Sequence, residues 1–446
     1  MPTDNASVPT DPVRDQALTI LSAVEAGTFL DRALEDLPPV FGTGSPERAR
    51  LHYLTAGVTR FRLRLDTELD HHLARGLESV PPLVRQILRL ALFEVRFADT
   101  PAWAAVNAAV DLVRQTKFAG LSGLVNAVLR TAQRSGEPPL PAEPRERLPI
   151  ETSHPPWLLD EIAAFFGTEA AEAYAAWNND PAPLWARVNQ AVTGVEAERA
   201  ALLEAGLESV EEGVLPGWIR CEPGTIAPLL PALEAGRLRV QDPSAGLAVL
   251  AAGEVAGLRI ADLCAAPGGK GSHLAERGGG RAAVTVTDAD PDRYRRLEQV
   301  VQTHGSLGLE RREYAAVMAE TGRFDLVLLD VPCSNTGVLR RRADARWRLG
   351  PDTAGEMAGV QLALLAEGGE LLRPGGVLIY STCSVLPAEN EEVVERFLSH
   401  HTAFIPDELP PSFPAGFVSG PGRAASLPWK HGLDGAFTAR LKRAGT

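Results

Sequence analysis

The sequence predicts a multidomain protein: an all-α helical bundle, a small α+β accessory subdomain and an α/β doubly wound domain with a mainly parallel sheet. Three observations predict it. The chain has 446 residues, 45% of them hydrophobic, which is too long for one ordinary domain and apolar enough to bury more than one core. Apolar residues recur at helical spacing up to about Arg134, whereas strand-like and helical runs alternate beyond Gly236. Between them, residues 135–149 (SGEPPLPAEPRERLP) are so rich in proline and charge that they read as an extended, solvated linker.

The bundle is expected over residues 1–140. Leu83, Ile87, Leu88, Leu90, Ala91 and Leu92 make one apolar stripe, Val106, Val110, Leu112 and Val113 a second, and Leu121, Leu124, Val125, Val128 and Leu129 a third. The linker and accessory subdomain, 141–235, carry a helical pattern over 156–166 and short strands at 184–189 and 218–221. The α/β domain, 236–446, is expected to place strands at 259–263, 283–287, 324–330 and 377–381, each followed by a helix.

The opening MPTDNASVPTDP is polar and acidic, and no run of 18 apolar residues occurs, so a cytoplasmic protein is expected rather than a secreted or membrane-spanning one. The cysteines, Cys221, Cys264, Cys333 and Cys383, form no CxxC pair, which favours chemically employed thiols over disulfides or a metal site. A net charge of -13 argues against nonspecific coating of nucleic acid but permits a local basic surface. Arg60, Arg62 and Arg64 form one basic cluster, which reads equally well as a solvated face. Arg340, Arg341, Arg342, Arg346 and Arg348 form another beside the candidate site and are read as RNA contacts, whereas Trp347 reads equally well as an RNA clamp or as packing of a helix.

Residues 262–276, DLCAAPGGKGSHLAE, follow a strand and open a helix. Cys264, Ala265, Ala266, Pro267, Gly268, Gly269 and Lys270 would form a loop that a ligand can approach closely, at the carboxyl end of the first strand where such sheets bind nucleosides. Asp288, at the end of the next strand, is placed to accept both ribose hydroxyl protons. The competing role for Asp288 is to cap the helix after Pro291, which Asp290 alone could do. A dinucleotide is disfavoured because GxGxxG is absent.

Cys333 and Cys383 each follow a strand of the same sheet, so both are expected at its ligand-binding edge although fifty residues separate them. A thiolate adding to carbon 6 of cytosine makes carbon 5 nucleophilic enough to attack a sulfonium methyl. Lys270, a helix amino end or the positive charge of the methyl donor would ionise the thiol. Asp330 is placed to bond the N3 and N4 edge of the base, and either Cys333 or Asp330 to take the carbon-5 proton. The base must leave its stack, so an unpaired or loop region of RNA is the expected partner.

Together DLCAAPGGK, DVPCSNTGVLRRRADARW and YSTCSVLPAEN resemble the cofactor loop, the proline-cysteine motif and the threonine-cysteine motif of the Sun family of RNA 5-cytosine methyltransferases. GRLRVQDPSAGL looks like that family's lead into its catalytic domain, and HGLDGAFTARLKR like its final strand. AVNAAVDLVRQTKF and GLVNAVLRTA are similar to NusB-like RNA-binding bundles, a fusion seen in family members that act on small-subunit (16S) ribosomal RNA. The resemblance implies a Rossmann-like methyltransferase domain using S-adenosyl-L-methionine. It makes Cys383 the nucleophile, gives Cys333 a part in product release, and sets the cofactor against residues 264–270, Asp288 and Asp330. The sequence departs from the pattern where LERREYAAV offers Glu313 or Tyr314 in place of a cofactor-facing Asp, where Asn335 replaces a small residue, and where Ala436 replaces an aromatic. The competing readings are a noncatalytic RNA-binding or antitermination module and a 5-cytosine methyltransferase acting on tRNA or DNA.

Overall fold

The computed structural model describes residues 11–35, 37–221 and 226–445, so most of the polar opening lies outside the described residues. The chain forms two compact units. One is the chain up to Asn179 together with Arg342–Arg348; the other is Asp180–Arg341 with Leu349–Thr446.

The first unit is all helical. Pro12–Glu25, Pro46–Arg60, Arg62–His72, Pro82–Phe97, Ala102–Arg114 and Ser122–Ser135 form the bundle, followed by Pro144–Thr152, Pro156–Phe166 and Thr168–Asn179. Pro12, Pro46, Pro82, Pro144 and Pro156 each open a helix, where a missing N–H costs nothing. Asp11 and Ser45 cap two of these helices by accepting backbone N–H bonds. Pro82–Phe97 runs through the core and is buried on most of its circumference, Arg89 and Glu94 included. Those charges are tolerated because Arg89 pairs with Asp66 at 2.6 Å and Glu94 with Arg14 at 2.7 Å.

The extended linker expected over 135–149 stops short. Residues 144–152 are helical because Pro144 occupies the first turn and Arg145 pairs with Asp160 of the next helix at 2.9 Å. Ser153 ends that helix in the left-handed conformation and accepts the Leu63 N–H at 2.9 Å, so the helical unit continues to Asn179 rather than ending near residue 140.

Segment Arg342–Arg348 corrects the reading of Arg346 as an RNA contact and decides Trp347 in favour of packing. The Arg346 side chain is wholly buried and donates to the carbonyls of Ser153 at 3.0 Å, Asn178 at 3.3 Å and Arg60 at 3.4 Å. These carbonyls lie at the carboxyl ends of three helices, where unpaired oxygens and helix dipoles favour a cation. Burial pulls the guanidinium down to about 9, which leaves it charged at neutral pH. Trp347 donates its indole N–H to Thr59 O at 2.5 Å, and Asp344 accepts the Leu30 N–H at 3.1 Å. Arg346 and Trp347 are therefore packing and capping groups of the helical unit.

The second unit holds two sheets. The small antiparallel one has the order β2-β3-β1-β4, with β1 Leu184–Val188, β2 Val210–Glu212, β3 Trp218–Cys221 and β4 Leu238–Val240. β4 falls beyond residue 236, so the accessory sheet draws its edge strand from the start of the expected α/β domain. The large sheet contains β5 Arg259–Asp262, β6 Ala283–Val286, β7 Leu309–Arg311, β8 Phe324–Asp330, β9 Leu372–Thr382, β10 Phe404–Pro406, β11 Val418–Gly420, β12 Arg423–Ser426 and β13 Ala436–Arg443. Its order is β11-β12-β13-β9-β8-β5-β6-β7, with β10 also on β13. β5 to β9 are parallel neighbours, as expected for a doubly wound sheet, whereas β13 runs antiparallel to β9 and closes that side. The carboxyl ends of β5, β6, β8 and β9 share one edge, which receives the loops after Asp262, Val286, Asp330 and Thr382.

Replacing Arg346 by Ala strands the carbonyls of Ser153 and Asn178, and we expect a loss of roughly 3 kcal/mol in the stability of the helical unit. Thermal or urea unfolding checks this; unchanged stability would mean that the buried guanidinium is not a structural cap.

Candidate active site

The loop after β5 lies close to the sheet because two glycines permit it. Gly268 adopts a φ of +92°, and a Cβ there would sit 2.5 Å from Val300 Cγ1, while one on Gly271 would sit 2.4 Å from Val286 Cγ1. The Ala265 N–H donates to Thr287 O at 3.0 Å, which ties the loop to the end of β6. Asp288 is buried beside it, accepting from the Ala266 N–H at 3.4 Å and lying 3.2 Å from Arg293 Nε. Asp290 accepts the N–H groups of Asp292 and Arg293 and caps the helix Pro291–His304, so that role does not fall to Asp288. Glu313 follows β7 at the same edge, exposed and within hydrogen-bonding reach of Tyr294. Tyr314 lies near Cys264 and Asp288 and donates to Glu367 at 2.7 Å.

Asp262, the last residue of β5, was not singled out by its sequence pattern. It is fully buried, with no side-chain donor on either carboxyl oxygen among the described residues and only the Gly271 backbone beside it. Burial first, and then the charge of Asp330, push its carboxyl up to about 8. Cys264 is nearly buried, and burial followed by the carboxylates of Asp262, Asp288 and Asp330 drives its thiol far upward. It therefore serves the loop as a small neutral side chain.

β8 and β9 are adjacent and parallel, with Asp330 opposite Ser381. That register carries Cys333 and Cys383 onto neighbouring loops, and their sulfurs lie 3.0 Å apart. Their surroundings differ. Cys333 is held well above the ordinary thiol range, first by its hydrogen bond with Cys383, next by burial, and then by the negative charge of Cys383 and Glu389. Lys270 forms an ion pair with Asp330 at 2.6 Å. Burial opposes its charge, but Asp330, followed by Cys383 and Asp262, keeps the ammonium above its ordinary value. Lys270 and Cys383 therefore attract one another while Cys333 is held in its thiol form, an asymmetry suited to a nucleophile and its partner.

Asn335 accepts from the Cys383 thiol at 3.4 Å and donates to Cys333 O at 3.0 Å. Its φ is +62°, a conformation that Gly and Asn adopt most readily, which accounts for Asn where a small residue is usual. Sequence alone marked it only as a departure from the family pattern. The remaining arginines do not line this edge as free cations. Arg340 is buried and donates to Asp180 O at 3.0 Å; Arg341 pairs with Asp434 at 2.6 Å and Asp242 at 3.1 Å. Their charges are spent on holding loops, which corrects their reading as RNA contacts. Arg342, in the helical unit, is about half exposed, 51%, with Asp31 at 3.8 Å.

The buried acid generates a pH test. Asp262 has a folded-state value of about 8 against an ordinary 3.8, so between these the folded protein retains a proton that the unfolded chain has lost, and stability falls as pH rises through that window. Asp262→Asn removes this term. In urea unfolding the variant is expected to gain on the wild type from pH 5 to pH 8; a constant difference across that range would contradict the raised value.

Residues 250–442 match the family model for the 16S rRNA methyltransferase RsmB/F, 11–134 that for the NusB family, and 154–223 that for the ferredoxin-like domain of RsmF/B-like methyltransferases. The chain is 32% identical to the probable ribosomal RNA small subunit methyltransferase B of Bacillus subtilis, over 97% of this chain and 99% of that one. It is 35% identical to the ribosomal RNA small subunit methyltransferase B of Xylella fastidiosa, over 89% of this chain and 91% of the relative. Among solved structures, PH0851 superposes with a TM-score of 0.80 at 24% identity, over 98% of this chain and all (100%) of that one. NSun6 from Pyrococcus horikoshii, solved with SFG, superposes with a TM-score of 0.57 at 20% identity, over 66% of this chain and 99% of that one. These two likenesses bear on the fold, whereas the sequence relatives extend over nearly the full chain. The chain belongs to the ribosomal RNA small subunit methyltransferase B family of RNA methyltransferases.

Proposed function

We propose that the protein methylates carbon 5 of a cytosine in small-subunit ribosomal RNA, in the cytoplasm, using S-adenosyl-L-methionine, with Cys383 as nucleophile and Cys333 in product release. The observation that carries this reading is the thiol pair: two sulfurs 3.0 Å apart, with Lys270 acting on Cys383 and the proton held on Cys333. The substrate class follows from the relatives, whose names specify ribosomal RNA of the small subunit.

The residues at the sheet edge fit an adenosine-bearing methyl donor. The loop 264–270 is packed closely onto the sheet edge, since a Cβ on Gly268 would meet Val300, and Asp288 offers a carboxylate where a ribose would lie. Asp330 and Glu313 complete the set of residues proposed to hold it. When bound, S-adenosyl-L-methionine supplies an electrophilic methyl group on a sulfonium.

The work of the chain is to activate and then release the base. The Cys383 thiolate forms a carbon–sulfur bond at carbon 6, and the electron pair of the 5,6 double bond becomes available at carbon 5. Asp330, whose side chain is 33% exposed, bonds the N3 and N4 edge and steadies the charge on the ring. After methylation the carbon-5 proton is removed, its electron pair restores the double bond, and the bond to Cys383 breaks to return a thiolate. Cys333 suits this second half. Part of what holds its proton, the hydrogen bond and the charge of Cys383, is lost while Cys383 is bonded to carbon, whereas burial and Glu389 remain. Cys333 thus becomes a better base after the adduct has formed. The target base must be unstacked to reach the thiols, which favours an unpaired RNA region. Arg342, half exposed beside Asp31, is proposed as an RNA contact.

Methyl transfer from labelled S-adenosyl-L-methionine to small-subunit ribosomal RNA tests the reading. Cys383→Ala is expected to abolish transfer by more than about 10³-fold. Cys333→Ala should accumulate a covalent protein–RNA band on a denaturing gel. Transfer that survives in Cys383→Ala would assign the nucleophile elsewhere.

A further inference from the structure

The two cysteine loops share one buried acid. Glu389, in the segment PAEN after Cys383, is fully buried, and its carboxylate touches the residue that follows each thiol. One oxygen accepts the backbone N–H of Ser334 at 2.8 Å and Gln361 Nε2 at 3.1 Å; the other accepts the hydroxyls of Ser384, at 2.5 Å, and of Ser334. Four donors thus satisfy a group that would otherwise be costly to bury. Around it Gln361 also donates to Pro332 O at 3.0 Å, the Tyr380 hydroxyl donates to Glu389 O at 2.5 Å, and the Thr336 and Ser384 hydroxyls meet at 3.0 Å. The ties reach both sides of Cys333, through Pro332 and Ser334, and the far side of Cys383, through Ser384.

We propose that Glu389 is a positioning residue for the two-thiol chemistry, its single carboxylate gripping the residue after each cysteine and thereby setting the spacing and aim of Cys333 and Cys383. Strand pairing alone brings the loops together only to the precision of a backbone. Attack by one sulfur and proton removal by its neighbour demand closer tolerance, and a misplacement of about 1 Å can cost about a hundredfold in rate. A network in which every polar group is satisfied supplies that tolerance.

The inference rests on the proposed function for its catalytic arm but not for its geometric arm, which separates the two. In the geometric arm, diamide oxidises the pair: it takes up two electrons and the two thiol protons as the Cys333–Cys383 bond forms. Mass spectrometry of the digested protein follows that bond. Glu389→Ala is expected to slow bridging by about tenfold or more. Glu389→Gln, whose amide oxygen still accepts the Ser334 N–H, should recover part of the rate. Ser384→Ala, a milder change that keeps most of the network, is expected to slow bridging a few-fold and guards against a Glu389→Ala protein that fails to fold. In the catalytic arm, kcat for methyl transfer should fall in the same order with little change in KM for RNA. Bridging at the wild-type rate in folded Glu389→Ala, or in Ser384→Ala, overturns the proposal. Absence of methyl transfer in the wild type would instead overturn the proposed function and leave the bridging result to stand by itself.

Discussion

The parallel pairing of β8 with β9, in the register that sets Asp330 opposite Ser381, is the constraint on which the site depends. Slipping that register by one residue would turn alternate side chains to the other face and separate the loops that carry the thiols. The pairing is well protected. Leu326, Val327, Leu328 and Leu329 on β8, and Leu378, Ile379 and Tyr380 on β9, are essentially inaccessible to solvent, and β13 covers the other side of β9. Core burial therefore specifies the register, and the register delivers two sulfurs to one another at 3.0 Å.

Proximity alone would make two equivalent thiols. They become unequal through charges supplied by neighbouring elements: Lys270 from the first turn of the helix after β5, Asp330 from the end of β8, and Glu389 from the turn after Cys383. The same edge concentrates Asp262, Asp288 and Asp330 around the loop 264–270; Asp262 keeps its proton, while Lys270 pairs with Asp330 and Arg293 lies beside Asp288. Burying so many acids costs stability. It is the arrangement expected where acid–base properties are tuned for chemistry rather than for the fold.

The parallel strands other than β7 were legible as apolar runs bounded by turn residues, and β3, β8 and the helix Pro156–Phe166 occur where their patterns place them. The thiol pair was legible because doubly wound topology brings strand ends to one edge whatever their separation in sequence. Other features were hidden for identifiable reasons. β9 begins at Leu372, well before residue 377, because Pro374 and Gly375 read as a turn although the strand runs through them, with Gly375 at a φ of +77°. A run of arginines reads as a basic surface, yet whether each is free depends on acids and carbonyls distant in sequence. Arg341 meets Asp242 and Asp434, and Arg346 meets the ends of three helices. Asp262 looks like an ordinary strand residue; only its burial without a side-chain donor marks it.

The central claim is that Cys333 holds a proton while Cys383, beside Lys270, is the reactive sulfur. Mass-spectrometric rates of iodoacetamide alkylation at each cysteine, taken across a pH series in the wild type and in Lys270→Ala, test it most directly. The account predicts that Cys383 is modified well ahead of Cys333 near neutral pH, that Cys333 gains only under alkaline conditions, and that Lys270→Ala slows Cys383. Equal rates for the two thiols, or faster modification of Cys333 at neutral pH, would contradict it.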